Sequence, residues 1–165
     1  MDTDRELSLC VVDANYLKYL RKIDYRVSVK YNNRPFVGII TLVGGNQYVI
    51  PLTSQTTSER EKEGKKKRAS VITTFIRDTS GNEIANLLHN NMIPVKSGVF
   101  SFLNIDAAKD TYEANEIRFI RKHKEKIIHK AQKVHDDRIL KHNTFLYKTC
   151  CDFIKLEEAC NKYTN

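Results

Sequence analysis

Residues 34–54 read RPFVGIITLVGGNQYVIPLTS, and the architecture follows from how this stretch folds. Two apolar runs, RPFVGIITLV and QYVIPL, flank the glycines of GGN. Consecutive glycines supply the positive φ angles that a tight turn demands, so the segment predicts an antiparallel β-hairpin. The second strand then runs into Thr53, Ser54, Thr56, Thr57 and Ser58, five hydroxyl side chains in six residues. Ser and Thr at a strand end commonly bond their own backbone in an ordinary turn. The same cluster also suits a phosphate cradle, and the surrounding sequence has to decide between them.

Working outward, LSLCVVD reads as a strand, and Asp13 suits the N-cap of a helix over ANYLKYLRKI. In YRVSVKY, Val27 and Val29 alternate with Ser28 and Lys30, which predicts a strand with one wet face. Residues 59–68 are charged and contain Gly64, and are expected to form an exposed, mobile loop. SVITTFI resumes a strand, TSGN turns the chain, and IANLLHNNMIPV with GVFSFL adds short segments. From about Asp110 the apolar period changes: Ile117, Ile120, Ile127, Ala131 and Val134 recur at helical intervals, as in a long amphipathic helix or a broken pair. CDFIKLEEACNKY places Phe153, Leu156 and Cys160 on one face of a last helix. The expected fold is α+β, an antiparallel sheet in the first two thirds covered by helices from both ends. At 165 residues and 41% hydrophobic, the chain is expected to form one domain over residues 1–165.

Charge is localised. The chain carries +8 in total, with +4 on residues 65–68 and a net +6 on residues 118–133, so the remainder is close to −2. Such a balance points to an anionic partner such as nucleic acid or a membrane surface. A helix with seven Lys and Arg residues in RFIRKHKEKIIHKAQK and only Glu125 to offset them repels itself unless a polyanion lies alongside. Arg118, Arg121, Lys122, Lys124 and Lys126 on that helix, with Lys65, Lys66, Lys67 and Arg68 in the loop, are therefore the candidate RNA-binding side chains. Phe119 is assigned to the core. No RNP signature, helix-turn-helix pattern or zinc-finger spacing occurs, which removes the ground for a DNA-binding regulator.

No apolar run reaches the roughly 18–20 residues of a membrane span, and MDTDRELSLC lacks the form of a signal peptide, so a cytoplasmic protein without a membrane partner is expected. Cys10, Cys150, Cys151 and Cys160 contain no Cys-x-x-Cys pair and are expected as free thiols, without zinc. His123, His129, His135 and His142 are spaced by six, six and seven, which stacks no two of them as a metal pair on one helical face. His89 is a minor site candidate. Neither metal nor cofactor is expected. Tyr16 is most simply a half-buried anchor on the first helix; as a functional residue it would stack on a base or donate a hydrogen bond to RNA. The hairpin should bring Arg34, which opens its first strand, beside Thr53 and Ser54, which close its second.

Taken in order, YLKYLRKID, RPFVGII with YVIPLTS, NNMIPV, IRFIRKHKEKI and CDFIKLEEAC resemble the ToxN/AbiQ family of type III toxin–antitoxin endoribonucleases, in its CptN-like branch. The resemblance spans nearly the whole chain. It implies a compact, strongly twisted antiparallel sheet surrounded by helices, similar to the MazF/Kid toxin core. It also implies metal-independent RNA cleavage, with inhibition by a small structured antitoxin RNA, a pseudoknot from a repeat array that the toxin processes, in a closed protein–RNA assembly. A role in phage abortive infection or in locus maintenance goes with it. By resemblance the catalytic positions fall on Thr53, Ser54, Arg34 and Tyr16. Family members commonly carry a lysine two residues after the serine, where this chain has Thr56. Either Thr56 supplies a hydrogen bond alone, or a loop lysine such as Lys62 or Lys65 reaches back to supply the charge.

Metal-free scission of RNA proceeds by attack of the 2′-hydroxyl on phosphorus, leaving a 2′,3′-cyclic phosphate and a 5′-hydroxyl. A guanidinium such as that of Arg34 suits the developing charge on the phosphoryl oxygens, and the hydroxyls of Thr53 and Ser54 suit positioning and proton relay. The alternative reading is a non-catalytic RNA-binding protein that uses the same basic surface.

Overall fold

The computed structural model describes residues 5–28, 36–141 and 143–165. Arg34, and Val29 to Tyr31 of the YRVSVKY segment, lie outside the described residues. The strands are β1 (Leu9–Val12), β2 (Phe36–Val43), β3 (Asn46–Thr53), β4 (Thr73–Arg77), β5 (Glu83–Leu88), β6 (Ile93–Pro94) and β7 (Phe100–Phe102). They form one sheet in the order β4-β5-β3-β2-β1-β7, with β6 added on β3, and every ladder is antiparallel. The helices are α1 (Ala14–Ile23), α2 (Thr57–Lys62), α3 (Tyr112–Lys122), α4 (Lys124–Leu140), α5 (Thr144–Thr149) and α6 (Phe153–Lys162).

The β2–β3 hairpin turns through Gly44 and Gly45, at φ +58° and +83°, between the paired residues Val43 and Asn46. Both glycines adopt the positive φ of a two-residue hairpin turn. Gly38, opposite Pro51, is required for a different reason: a Cβ there would sit 2.3 Å from the Ile50 carbonyl oxygen. The hairpin is the spine of the core, with Phe36, Ile39, Ile40, Tyr48, Val49 and Ile50 all buried. Helices from the two ends of the chain meet over it. Asp13 caps α1 by accepting from the Tyr16 amide at 3.1 Å, and the Tyr19 hydroxyl donates to the Ala159 carbonyl of α6 at 3.0 Å. Burying an aromatic or large aliphatic side chain stabilises by about 1.5–3 kcal/mol, so this apolar layer dominates the fold.

Two local expectations change, and one alternative is resolved. Tyr25 to Ser28 form a turn rather than the start of a strand; Val27 is buried there, so its apolar character reports core packing instead of alternation. Residues 57–62 form helix α2 rather than a loop, because Thr56 caps it by accepting from the Glu59 amide at 3.4 Å. Thr56-Thr57-Ser58-Glu59 is the S/T-x-x-E signature of a helix start. The basic helix is the broken pair, interrupted at His123, whose ring lies 4.2 Å from that of Phe119. A short helix, α5, precedes the last one. Among the described residues no helix is long and apolar enough to cross a membrane.

Candidate active site and nucleic-acid interface

Strand β3 ends at Thr53, where it pairs with Asn86 of β5, and the chain then turns through Ser54, Gln55 and Thr56 into α2. Directly opposed residues in a ladder project from the same face, so the Thr53 hydroxyl and the Asn86 amide share one side of the sheet. Thr53 Oγ1 accepts from the Gln55 amide at 3.2 Å, which leaves its own proton free to donate. Ser54 is exposed at the apex of the turn. Thr56, half-buried, is committed to the cap of α2.

Gln55 pins this corner. Its carbonyl oxygen accepts from Arg68 Nη1 at 2.8 Å, its Oε1 accepts from Arg68 Nη2 at 2.9 Å and from Arg60 Nη1 at 3.4 Å, and its Nε2 donates to Glu63 Oε2 at 2.9 Å. From the other side, Asn86 Oδ1 accepts from Arg68 Nη1 at 3.0 Å, and Asn86 Nδ2 donates to Glu83 Oε2 at 2.9 Å. Glu83 Oε2 also accepts from the Thr57 amide at 2.6 Å, tying α2 to the sheet. Burial and the nearby Arg60 charge push the Arg68 guanidinium down to about 10, partly countered by Glu83, so it stays a cation at neutral pH. Gln55, Asn86 and Glu83 were not among the residues singled out from the sequence. A glutamine between two hydroxyl residues and an asparagine inside a strand give no local signal; their roles come from the β3–β5 pairing.

The basic residues divide by what they touch. Lys65 Nζ pairs with Glu63 at 3.0 Å, and Lys67 Nζ sits 4.8 Å from the centre of the Phe75 ring. Lys66 is exposed. Neither Lys62 nor Lys65 reaches the Thr53–Ser54 corner by a hydrogen bond, whereas Arg68 does reach its Gln55. On α3, Arg118 is engaged within the protein: Nη1 donates to the carbonyls of Ala107 and Lys109 at 2.7 and 2.8 Å, and Nη2 to Asn115. It braces the loop after β7 and is not a free phosphate ligand. Arg121, Lys122 and Lys126 are exposed and Lys124 is half-exposed, with no ion pair to any of them among the described residues. Arg121 also lines a cleft of about 450 Å³ beside β7, where the Arg5 guanidinium lies 4.5 Å from the centre of the Phe102 ring.

Two tyrosine and histidine candidates are internal. Tyr16 is completely buried, and its hydroxyl donates to the Pro94 carbonyl oxygen. It presents no face to a base and serves as the core anchor between α1 and β6. His89 is likewise buried, with Nε2 at 2.8 Å from Thr74 Oγ1.

The model of the ToxN toxin family of type III toxin–antitoxin systems matches residues 8–161. The chain belongs to the ToxN family. Within it, this ToxN-family chain is 30% identical to Endoribonuclease ToxN of Bacillus thuringiensis subsp. kurstaki, over 92% of this chain and 81% of that protein. A solved type III toxin that is selectively inhibited by a non-coding RNA pseudoknot superposes with a TM-score of 0.78 at 28% identity, covering 96% of this chain and 98% of that one. AbiQ, a lactococcal anti-phage endoribonuclease of the type III class, superposes with a TM-score of 0.79 at 26% identity, covering 94% and 96%. The α+β architecture of this ToxN-family chain, an antiparallel sheet with surrounding helices, is the one these toxins share.

Proposed function

We propose that this protein, an endoribonuclease toxin of a type III toxin–antitoxin system, cleaves RNA at the Thr53–Ser54 corner without a metal. The observation that carries this reading is the corner itself: an exposed serine beside a threonine hydroxyl with a free proton, at the end of a strand, held by a glutamine that is fastened on every polar atom. Preorganised donors of this kind act on the charge that develops in a transition state. The 2′-hydroxyl loses its proton through the Ser54 hydroxyl to water, its oxygen bonds to phosphorus, and the P–O5′ bond breaks. The departing oxygen takes a proton from solvent, giving a 2′,3′-cyclic phosphate and a 5′-hydroxyl.

The partner is a small antitoxin RNA, a pseudoknot derived from a repeat array, in a closed assembly of protein and RNA; cellular RNAs are the other substrates. Support comes from the family and from the RNA-inhibited relative that the fold matches. A role in abortive infection rests in the same way on the anti-phage relative. We take the chain to act as a single domain in the cytoplasm, where its substrates are. The exposed Arg121, Lys122 and Lys126 supply the salt-dependent part of RNA affinity.

The test is incubation of antitoxin-free protein with RNA in the presence of a chelator, followed by analysis of the ends. Cyclic-phosphate termini support the reading. Intact RNA would favour a protein that binds RNA on the basic surface without cutting it.

A further inference from the structure

We propose that Arg68 is the catalytic cation of the corner, gripping a non-bridging oxygen of the scissile phosphate as its charge grows. This inference rests on the reading of Thr53 and Ser54 as the cleavage site and assigns the charge that their chemistry needs.

The geometry is specific to Arg68. Its three hydrogen bonds go to the Gln55 carbonyl, the Gln55 side-chain oxygen and the Asn86 side-chain oxygen, all of them neutral acceptors. Glu83, the nearest carboxylate in that network, is one residue further on, bonded to Asn86 and to the Thr57 amide. The guanidinium is therefore held at three points and half-buried, with no carboxylate in contact with it among the described residues. A guanidinium carries five N–H donors, so two remain, on the adjacent nitrogens Nε and Nη2. Fixed, planar donors of this kind match phosphate oxygens in pairs.

Its location fits as closely. Asn86 faces Thr53 across the ladder, and Gln55 follows Ser54, so the bonds that fix Arg68 go to the ladder partner of one hydroxyl residue and to the chain neighbour of the other. Among the described residues, Arg60 is the other arginine bonded to Gln55; it holds Gln55 only at 3.4 Å and donates its Nε to the Lys66 carbonyl at 2.9 Å. Lys65 is paired with Glu63. A half-buried cation whose proton affinity is lowered by burial and by Arg60 gains most when an anion arrives, which is what a phosphodiester provides on docking and what a phosphorane provides more strongly. Arg68 transfers no proton; it only stabilises the charge that the attack creates.

The experiment measures single-turnover cleavage by Arg68→Ala and Arg68→Lys, alongside binding of an RNA with 2′-deoxyribose at the cleavage position and the thermal midpoint of each variant. Arg68→Ala is expected to cut about a hundredfold or more slowly, to bind the uncleavable RNA within a few-fold of the parent, and to recover rate when free guanidinium ion is added at non-denaturing concentration. Arg68→Lys, which keeps a charge and the space, should retain the fold and still cleave at least tenfold slower. Cleavage by either variant at the parental rate would overturn the proposal. So would a loss in Arg68→Ala that tracks a fallen thermal midpoint and is indifferent to guanidinium, which assigns Arg68 to bracing. If Arg68→Ala does not fold, the rate of Arg68→Lys decides. Failure of the underlying reading is seen separately, as Ser54→Ala cleaving like the parent.

Discussion

Asn86 stands opposite Thr53 in the β3–β5 ladder, and the two ends of its amide connect Arg68 to Glu83, at 3.0 and 2.9 Å. One fully buried side chain thus holds together the strand end, the guanidinium and the carboxylate that ties down α2. Replacing it by alanine strands a donor and an acceptor, which costs about 1–3 kcal/mol. Asn86→Ala should unfold at lower denaturant and cleave RNA more slowly at a temperature where it remains folded. Stability equal to the parent would show that the amide is not a link.

Ser54 lies outside the packing, so Ser54→Ala is expected to leave the thermal midpoint unchanged while lowering cleavage by about a hundredfold, the usual effect of losing one transition-state donor. Affinity for the antitoxin RNA should be nearly intact. Gel-based cleavage and binding titrations on the same preparation check this. Equal loss of both would reassign Ser54 to the binding surface.

The basic surface gives a prediction that separates its members. Lys and Arg residues that neutralise phosphates each steepen the dependence of log affinity on log salt by about 0.7–0.9. Arg121→Gln and Lys122→Gln should flatten that slope. Arg118→Gln should leave the slope alone and lower stability, since that side chain bonds the Ala107 and Lys109 carbonyls.

Acid sensitivity is assigned to His89. Burial, with the Lys130 charge adding to it, pushes the imidazole down to about 3 from an ordinary 6.5. Above 6.5 it is neutral in both folded and unfolded chains, and its contribution is fully present. As pH falls from 6.5 towards 3 the unfolded chain takes the proton first, so stability declines by up to about 1.4 kcal/mol per pH unit. Urea denaturation across that range should show a steeper decline for the parent than for His89→Gln.

Glu116 gives the opposite arm. It is buried on α3, and burial, aided by Glu113, raises its carboxyl to about 8 from 4.5. Its contribution is complete below pH 4.5 and is lost as pH rises through 8, because the unfolded chain releases the proton more readily. Glu116→Gln should therefore gain on the parent in stability at pH 9 and match it more closely at pH 5, as read from denaturant midpoints.

What could be read in the sequence was whatever is encoded locally. The paired glycines specify the hairpin turn, and the apolar runs that flank them specify its strands; Asp13 and the helical periods specify α1, α3, α4 and α6. The helix at 57–62 was legible as well, in the threonine cap and the glutamate three residues on, but charge density and Gly64 read as a loop. The site was legible only as the hydroxyl cluster and the basic run. The proposed cation, Arg68, meets Gln55 and Asn86 through the pairing of β3 with β5, a contact that no window of sequence contains. Tyr16 and Arg118 show the converse: residue types suited to RNA whose partners turn out to be Pro94, Ala107 and Lys109.

Ser54 sits at an exposed apex while the apolar mass lies beneath the hairpin and the helices. On the proposed reading of Ser54 as the cleaving side chain, poison and scaffold are separable by a single codon. A cell that escapes its own toxin through a change at this apex would then inherit a well-folded decoy, which goes on soaking up the guardian transcript and leaves any intact copy of the toxin in the same cell less restrained than before.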